Sequence, residues 1–297
     1  MTHIPVLLNE TIDNLCINPN GTYIDATYGA GGHTRLILSK INKGRVVAFD
    51  QDNHILKTNT NSDKRLEIIN QNFIYLQNNL SLLDIDKVDG IIADLGLSSF
   101  QISSKRGFSY KHDSDLDMRM NPDSDVSAYD VINNYEFEDL KQIFRDFGEI
   151  KNHSSLSRQI IKSRDKKKIK TVYDFLESID FVLPKNKKNK YLSQVFQAIR
   201  IEVNSEIENL KSFLIQSCNF LKKGARLIII SYHSLEDRIV KNFFKYGNFK
   251  GLENKDIYGN NLSELKAVNK KPIVPDSKEI FNNKRSRSAK MRIAVKL

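Results

Sequence analysis

Residues 22–50 read TYIDATYGAGGHTRLILSKINKGRVVAFD. A β-branched and aromatic run closes on an acid, a turn with Gly29, Gly31 and Gly32 follows, and a helical stretch leads to a second apolar run ending in Asp50. Strand, glycine turn, helix and strand in that order read as the βαβ unit of an α/β sheet. Glycines let the backbone take positive φ and let a ligand approach closely, and a helix start offers unpaired N–H groups. The turn is neither the GxGxxG fingerprint nor a P-loop, since no Gly-Lys-Ser/Thr follows, and a plain tight turn would use the same glycines. Asp50 stands 19 residues after Gly31, where a strand-end carboxylate can accept both ribose hydroxyls of an adenosine-containing ligand. An exposed strand-end acid is the alternative.

Outward from this unit, runs at 65–70 and 88–95 read as further strands buried on both faces, which predicts a parallel sheet with crossover helices. From about 103 to 193 the strand signal stops. Segments 137–147, 156–164 and 172–182 read as helices, separated by Lys-rich breaks at 166–170 and 185–190. Phe196, Ile199, Val203, Ile207, Leu210, Leu214 and Leu221 recur mostly at spacings of three and four, predicting one buried helix face over 195–221. Gly224 is expected to end that helix, residues 225–232 to form a strand, and Ser234 with Asp237 to cap the next helix. Residues 247–283 read as a long loop before a last strand at 289–295. The expected organisation is an α/β core split in sequence, 1–104 and 195–297, around an inserted helical domain at 105–194.

The 297 residues can bury a sizeable core, and with 40% hydrophobic and 28% charged residues the chain reads as globular. No apolar run approaches the ~18 residues of a membrane span, and residues 1–9 lack an export signal, so the cytoplasm is the expected compartment. Cys16 and Cys218 form no CxxC or Cys/His cluster; neither a disulfide framework nor a metal site is indicated, and both read as buried small residues. The net charge is +10, with 29 asparagines hinting at a coding bias that would also favour lysine. The excess is not spread evenly. Residues 145–200 carry 14 basic and 6 acidic residues and 284–297 carry six basic and none acidic, leaving 10 − 8 − 6 = −4 elsewhere. Two basic segments on a weakly acidic body point to a polyanionic partner, against a solvated Lys-rich loop.

Residues 94–101, DLGLSSFQ, end the fourth expected strand, where open α/β sheets bind ligands in the crevice; Asp94, Ser98, Ser99 and Gln101 would face it. Phe73 could stack on a base or staple the next helix. His33 could donate to a ligand or cap the turn. His233, after the fifth expected strand, could line a pocket or orient Glu236 or Asp237.

The motifs HIPVLLNE (3–10), DATYGAGGHT (25–34), DLGLSSFQ, RGFSY with DLDMRMN (106–121), FQAIRIEVNSE (196–206), ISYHSLEDRIVK (230–241) and NKRSRSAKMR (283–292) occur in one order over nearly the whole chain. In this the sequence resembles the ribosomal RNA small subunit methyltransferase H family. The resemblance implies a class I, Rossmann-like fold with an inserted helical domain, S-adenosyl-L-methionine as cofactor, and methylation of cytidine N4 in 16S rRNA near the decoding P site of the small ribosomal subunit. By position, the implied cofactor residues are Gly31, Gly32, His33, Asp50, Phe73, Asp94 and Gln101. The sequence departs from the family pattern at Phe100, at Gly148 to Lys151 and at Lys190 with Tyr191, all outside the glycine turn and Asp50.

An in-line methyl transfer mainly requires alignment of the acceptor lone pair with the methyl group. The exocyclic amine of cytosine is conjugated with the ring, and an acceptor holding its N–H bonds, such as Asp94 or a nearby carbonyl, would help expose that lone pair. The catalytic candidates are Asp94, Ser98 and His233, and no strong general base is obligatory. C5 methylation needs a thiolate that adds to the ring, and no motif here carries a cysteine. Two other classes stay open: an adenosine-nucleotide enzyme such as a dehydrogenase, and a non-catalytic ribosome-assembly RNA-binding protein. The oligomeric state is open as well, a homodimer included.

Overall fold

The computed structural model describes residues 4–52, 62–97, 101–102, 104–254, 256, 258 and 262–297. Two units emerge from the packing, Met1–Gly96 with Glu208–Leu297, and Leu97–Ile207.

The first unit is built on a seven-stranded sheet of order β3-β2-β1-β4-β5-β7-β6. The strands are β1 Thr22–Asp25, β2 Arg45–Phe49, β3 Leu66–Ile69, β4 Val88–Asp94, β5 Leu221–Ser231, β6 Leu265–Ala267 and β7 Lys290–Lys296. Neighbours from β3 through β5 pair in parallel, Tyr23 standing beside both Val46 and Gly90. Ile24, Val46, Val47, Ile91 and Ile228 are fully buried, as in strands with both faces covered. The parallel expectation fails at one edge: β7 runs antiparallel to both β5 and β6. The sequence concealed this because a chain reversal leaves no mark on an apolar run. Helix α1 (Leu8–Leu15), α2 (Gly32–Lys40), α3 (Leu76–Leu82), α9 (Glu206–Phe220), α10 (Ser234–Tyr246) and α11 (Ser277–Asn282) complete the fold around this sheet. The stretch expected as loop thus contains β6 and α11, elements too short to show a periodicity. Gly224 does not end the preceding helix. It lies inside β5 at φ 83, where β4–β5 pairing shifts register between Val88 and Gly90. Cys218 is buried, but Cys16, at the left-handed end of α1, is exposed.

The second unit is helical: α4 Ala128–Asn134, α5 Phe137–Asp146, α6 His153–Arg164, α7 Val172–Ile179 and α8 Lys188–Val203. Phe144, Phe175, Val195 and Ile199 are fully buried in its core. Reciprocal caps at Ser127 with Asp130 and at Thr171 with Asp174 start α4 and α7. The expected boundaries at 104/105 and 194/195 fall instead at 96/97 and 207/208, because α8 packs its Leu192, Val195 and Ile199 face into this helical core. The single helix expected over 195–221 is also two. Asn204 turns out of the helix to accept from the Met120 N–H (2.7 Å) and donate to the Met118 carbonyl (2.8 Å), and Ser205 takes φ 49. Arg200 bridges the corner to Glu206 at 2.7 and 2.8 Å. Among the described residues no helix is long and apolar enough to cross a membrane.

Candidate active site at the strand ends of the first unit

Strand β1 lies between β2 and β4, so the chain crosses to opposite sides of the sheet from this point and leaves a crevice at the carboxyl ends. Asp25, Asp50 and Asp94 stand at the ends of β1, β2 and β4.

The glycine turn is shaped from both sides. Gly31 has φ 73, and a Cβ there would meet the Tyr28 ring at 2.7 Å. A Cβ on Gly32 would fall 2.0 Å from Pro5, so the N-terminal segment lies directly on the turn. His33 Nε2 lies 3.1 Å from the Val6 carbonyl, which assigns its ring to anchoring that segment. The Glu279 carboxylate accepts from the Leu7 N–H (2.9 Å), and Asn283 donates to the Ile4 carbonyl (3.1 Å), so α11 and the residue after it hold the same segment from outside. Helix α2 starts without a side-chain cap, its N-cap being Gly31, which leaves first-turn N–H groups for a ligand. Asp25 is 1% exposed; its carboxylate accepts from the Thr34 hydroxyl (2.6 Å) and the Thr27 N–H (3.2 Å), and burial pushes its pKa up. Asp25 is therefore a brace inside the turn.

Asp50 accepts from the Gly29 N–H through Oδ2 (2.8 Å) and from the Asp52 N–H through Oδ1 (3.0 Å). Each carboxylate oxygen has a lone pair left over, the pattern needed to receive two hydroxyl donors. Burial pushes this carboxyl up to about 6. Asn70 donates to the Asp50 carbonyl (2.9 Å), tying β3 to the site. Phe73 begins a short 3-10 turn capped by Asn72, and its ring packs at 4.9 Å, tilted, on Phe213 of α9, leaving it half-buried.

Asp94 is fixed through backbone and side chain. Its N–H donates to the Thr27 hydroxyl (2.6 Å), and its Oδ1 accepts from the Gly96 N–H (3.1 Å). Tyr232, at the end of adjacent β5, hydrogen-bonds the Asp94 carboxylate. Sequence reading passed over Tyr232; the available signal was its position just beyond the strand predicted beside β4. The helix cap expected from Ser234 and Asp237 is formed by the preceding residue. His233 Nδ1 accepts from the Glu236 N–H (3.4 Å), Glu236 Oε2 accepts from the His233 N–H (3.3 Å) and the Tyr232 N–H (2.9 Å), and His233 Nε2 lies 3.1 Å from Glu236 Oε1. This is the orienting role among the two weighed for His233. Ser98, with Ser99 and Phe100, lies outside the described residues. Gln101 belongs to the second unit, where it is buried and its carbonyl accepts from the Ser104 hydroxyl (2.7 Å).

The basic segments are partly committed to the fold. Lys167 pairs with Asp174 at 3.1 Å and Lys168 reaches the Asn133 carbonyl (3.4 Å), whereas Lys166, Lys185, Lys187 and Lys190 are exposed. In the C-terminal segment Arg292 is buried and forks onto Asp237 at 2.6 and 3.2 Å, Lys290 joins at 3.6 Å, and Lys296 pairs with Glu264. Lys284 and Arg287 are exposed. The RGFSY and DLDMRMN motifs build the second unit from within: Asp117 receives Arg106 (2.8 Å) and Arg119 (2.5 Å).

A Rossmann-like α/β protein with a crevice suited to an adenosine-type ligand is the class that this sheet order and these strand-end acids define. The MraW methylase family matches over residues 1–297. Similar chains include proteins named ribosomal RNA small subunit methyltransferase H from Bacteroides fragilis strain YCH46, 48% identical over 99% of this chain and 97% of that one. Those from Karelsulcia muelleri strain GWSS and Flavobacterium johnsoniae strain ATCC 17061 are likewise 48% identical, over 99% of this chain and 98% of each relative. The chain belongs to the MraW methylase family.

Proposed function

We propose that this protein is an S-adenosyl-L-methionine-dependent methyltransferase acting in the cytoplasm on the N4 amine of a cytidine in 16S rRNA of the small ribosomal subunit, near the decoding P site. The observation that carries the reading is the meeting of the glycine turn, Asp50 and Asp94 in one crevice of a chain that matches a methylase family from end to end.

The residues fit the cofactor. Gly31 and Gly32 keep side chains away from the uncapped start of α2, Asp50 has two lone pairs for ribose hydroxyls, and the half-buried Phe73 ring lies beyond β3 for an adenine edge. His33 contributes through its backbone N–H, its ring being held by Val6. Asp94 and Gln101 complete the assigned set. The bound cofactor supplies an electrophilic methyl group on a sulfonium. Asp94 accepts an N–H of the cytosine amine and so orients the N4 lone pair; its carboxylate is already fixed by Gly96 and Tyr232 and needs no reorganisation. The proton leaves after transfer, from an amine made acidic by the charge on the ring. No cysteine stands at the strand ends, in keeping with N4 as acceptor rather than C5. Exposed lysines of the second unit engage phosphates and hold the RNA without reading its sequence.

The test is methyl incorporation from labelled S-adenosylmethionine into naked 16S rRNA and into 30S particles, with mass mapping of the nucleoside. N4-methylcytidine is the expected product. Stabilisation by NAD and not by S-adenosylhomocysteine would favour a dehydrogenase-type protein, and RNA binding without incorporation a non-catalytic one.

A further inference from the structure

Three side chains at the ends of β4 and β5 are built around one carboxylate. Asp94 Oδ1 takes the Gly96 N–H at 3.1 Å, and the Leu95 N–H donates to the Ile230 carbonyl at 2.9 Å, so the turn after β4 is stitched to β5. The Tyr232 ring fills the space over Gly96 so closely that a Cβ there would lie 2.8 Å from two ring carbons and 3.1 Å from the phenol oxygen. That contact sets the phenol beside the Asp94 carboxylate, to which it hydrogen-bonds. The ring is also placed from behind, because the Tyr232 N–H donates to Glu236 within the His233 cap of α10. Burial first, and then the carboxylates Asp94, Glu236 and Glu279, push the phenol far above the ordinary tyrosine range. Tyr232 therefore stays protonated throughout the working pH range and acts as a donor, never as a base.

We infer that Tyr232 is a positioning residue for methyl transfer: its phenol, seated over Gly96, fixes the Asp94 carboxylate so that a free lone pair faces the acceptor amine. The inference rests on the proposed role of Asp94. It also explains why His233, which looked the better candidate by chemistry, is spent on the helix cap. A carboxylate with two fixed donors keeps one rotamer, whereas loss of one donor lets it rotate away from an in-line amine.

Tyr232→Phe removes the hydroxyl and keeps the ring over Gly96. The variant is compared with wild type by S-adenosylhomocysteine calorimetry, thermal unfolding and steady-state methylation of small-subunit RNA. The expected result is a kcat lower by about tenfold or more, while KM for RNA and the ligand Kd stay within about threefold. Gly96→Ala, which keeps the hydroxyl but displaces the ring, is expected to lower kcat in the same way. Wild-type kcat in Tyr232→Phe would overturn the inference, as would a loss of kcat matched by an equal loss of ligand affinity or melting temperature. If the wild-type protein binds S-adenosylhomocysteine but methylates no RNA, the proposed function itself fails, and this inference with it.

Discussion

The Gly29 N–H donates to Asp50 Oδ2 over 2.8 Å, joining the turn after β1 to the end of β2. One carboxylate thus shapes the glycine turn and retains lone pairs for a ligand, so its protonation state controls both.

Asp50 is raised to about 6 from 3.8 by burial, so between about pH 4 and 6 the folded protein holds a proton that the unfolded chain releases. Protons bound in the unfolded state minus those bound in the folded state is negative there, and this group's contribution to stability falls as pH rises through that window. Ribose hydroxyls need the ionised form. The affinity for S-adenosylhomocysteine is expected to weaken about tenfold between pH 8 and pH 5. Asp50→Asn should bind weakly at pH 8, by about 1.5–3 kcal/mol, with a flat profile. Calorimetric titration across pH reads both, and a slope in the variant equal to wild type would remove Asp50 from the site.

Gly31→Ala places a Cβ at φ 73, against the Tyr28 ring. The left-handed backbone alone costs about 1–2 kcal/mol, and moving the ring distorts the turn. The melting temperature should fall and ligand affinity fall further. An unchanged Kd in a folded variant would show that the ligand does not use this turn.

His233→Asn keeps an N-cap acceptor on α10, since asparagine is among the best capping residues. Methyl transfer should stay within about threefold of wild type. His233→Ala should destabilise by about 1 kcal/mol. Complete loss of transfer in a stably folded Asn variant would restore His233 to the chemistry.

Arg292→Ala strips the buried Asp237 of its main partner and should cost about 3 kcal/mol, Lys290 remaining nearby. The result should be a lower melting temperature rather than a selective RNA defect. Replacing the exposed Lys166, Lys185 and Lys190 with glutamate should leave the melting point within about 2 °C. It should also flatten the salt dependence of RNA binding by roughly 0.7–0.9 for each phosphate that is no longer neutralised. An unaltered slope, measured by filter binding over a salt series, would place the RNA elsewhere on the protein.

Residues 22–50 determined the βαβ unit by themselves, because apolar runs, glycines and a strand-end acid at the right interval are local features. The same holds for the helical insertion, whose periodic segments at 137–147, 156–164 and 172–182 appear as α5, α6 and α7 with its short 3-10 extension. What only the tertiary structure decided depends on contacts between distant residues. Asn204 leaves its helix to serve the backbone at Met118 and Met120, so a continuous apolar face at 195–221 was two helices. Arg292 looked like a phosphate ligand until Asp237, 55 residues earlier, was found beside it. Periodicity could not assign His233 to a cap or bring Tyr232 to Asp94, since the two sit at the ends of neighbouring strands 138 positions apart (232 − 94) and meet only through the sheet. Side-chain type tells what a residue can donate or accept; which partner it meets is set by the strand order and register that bring the chain together.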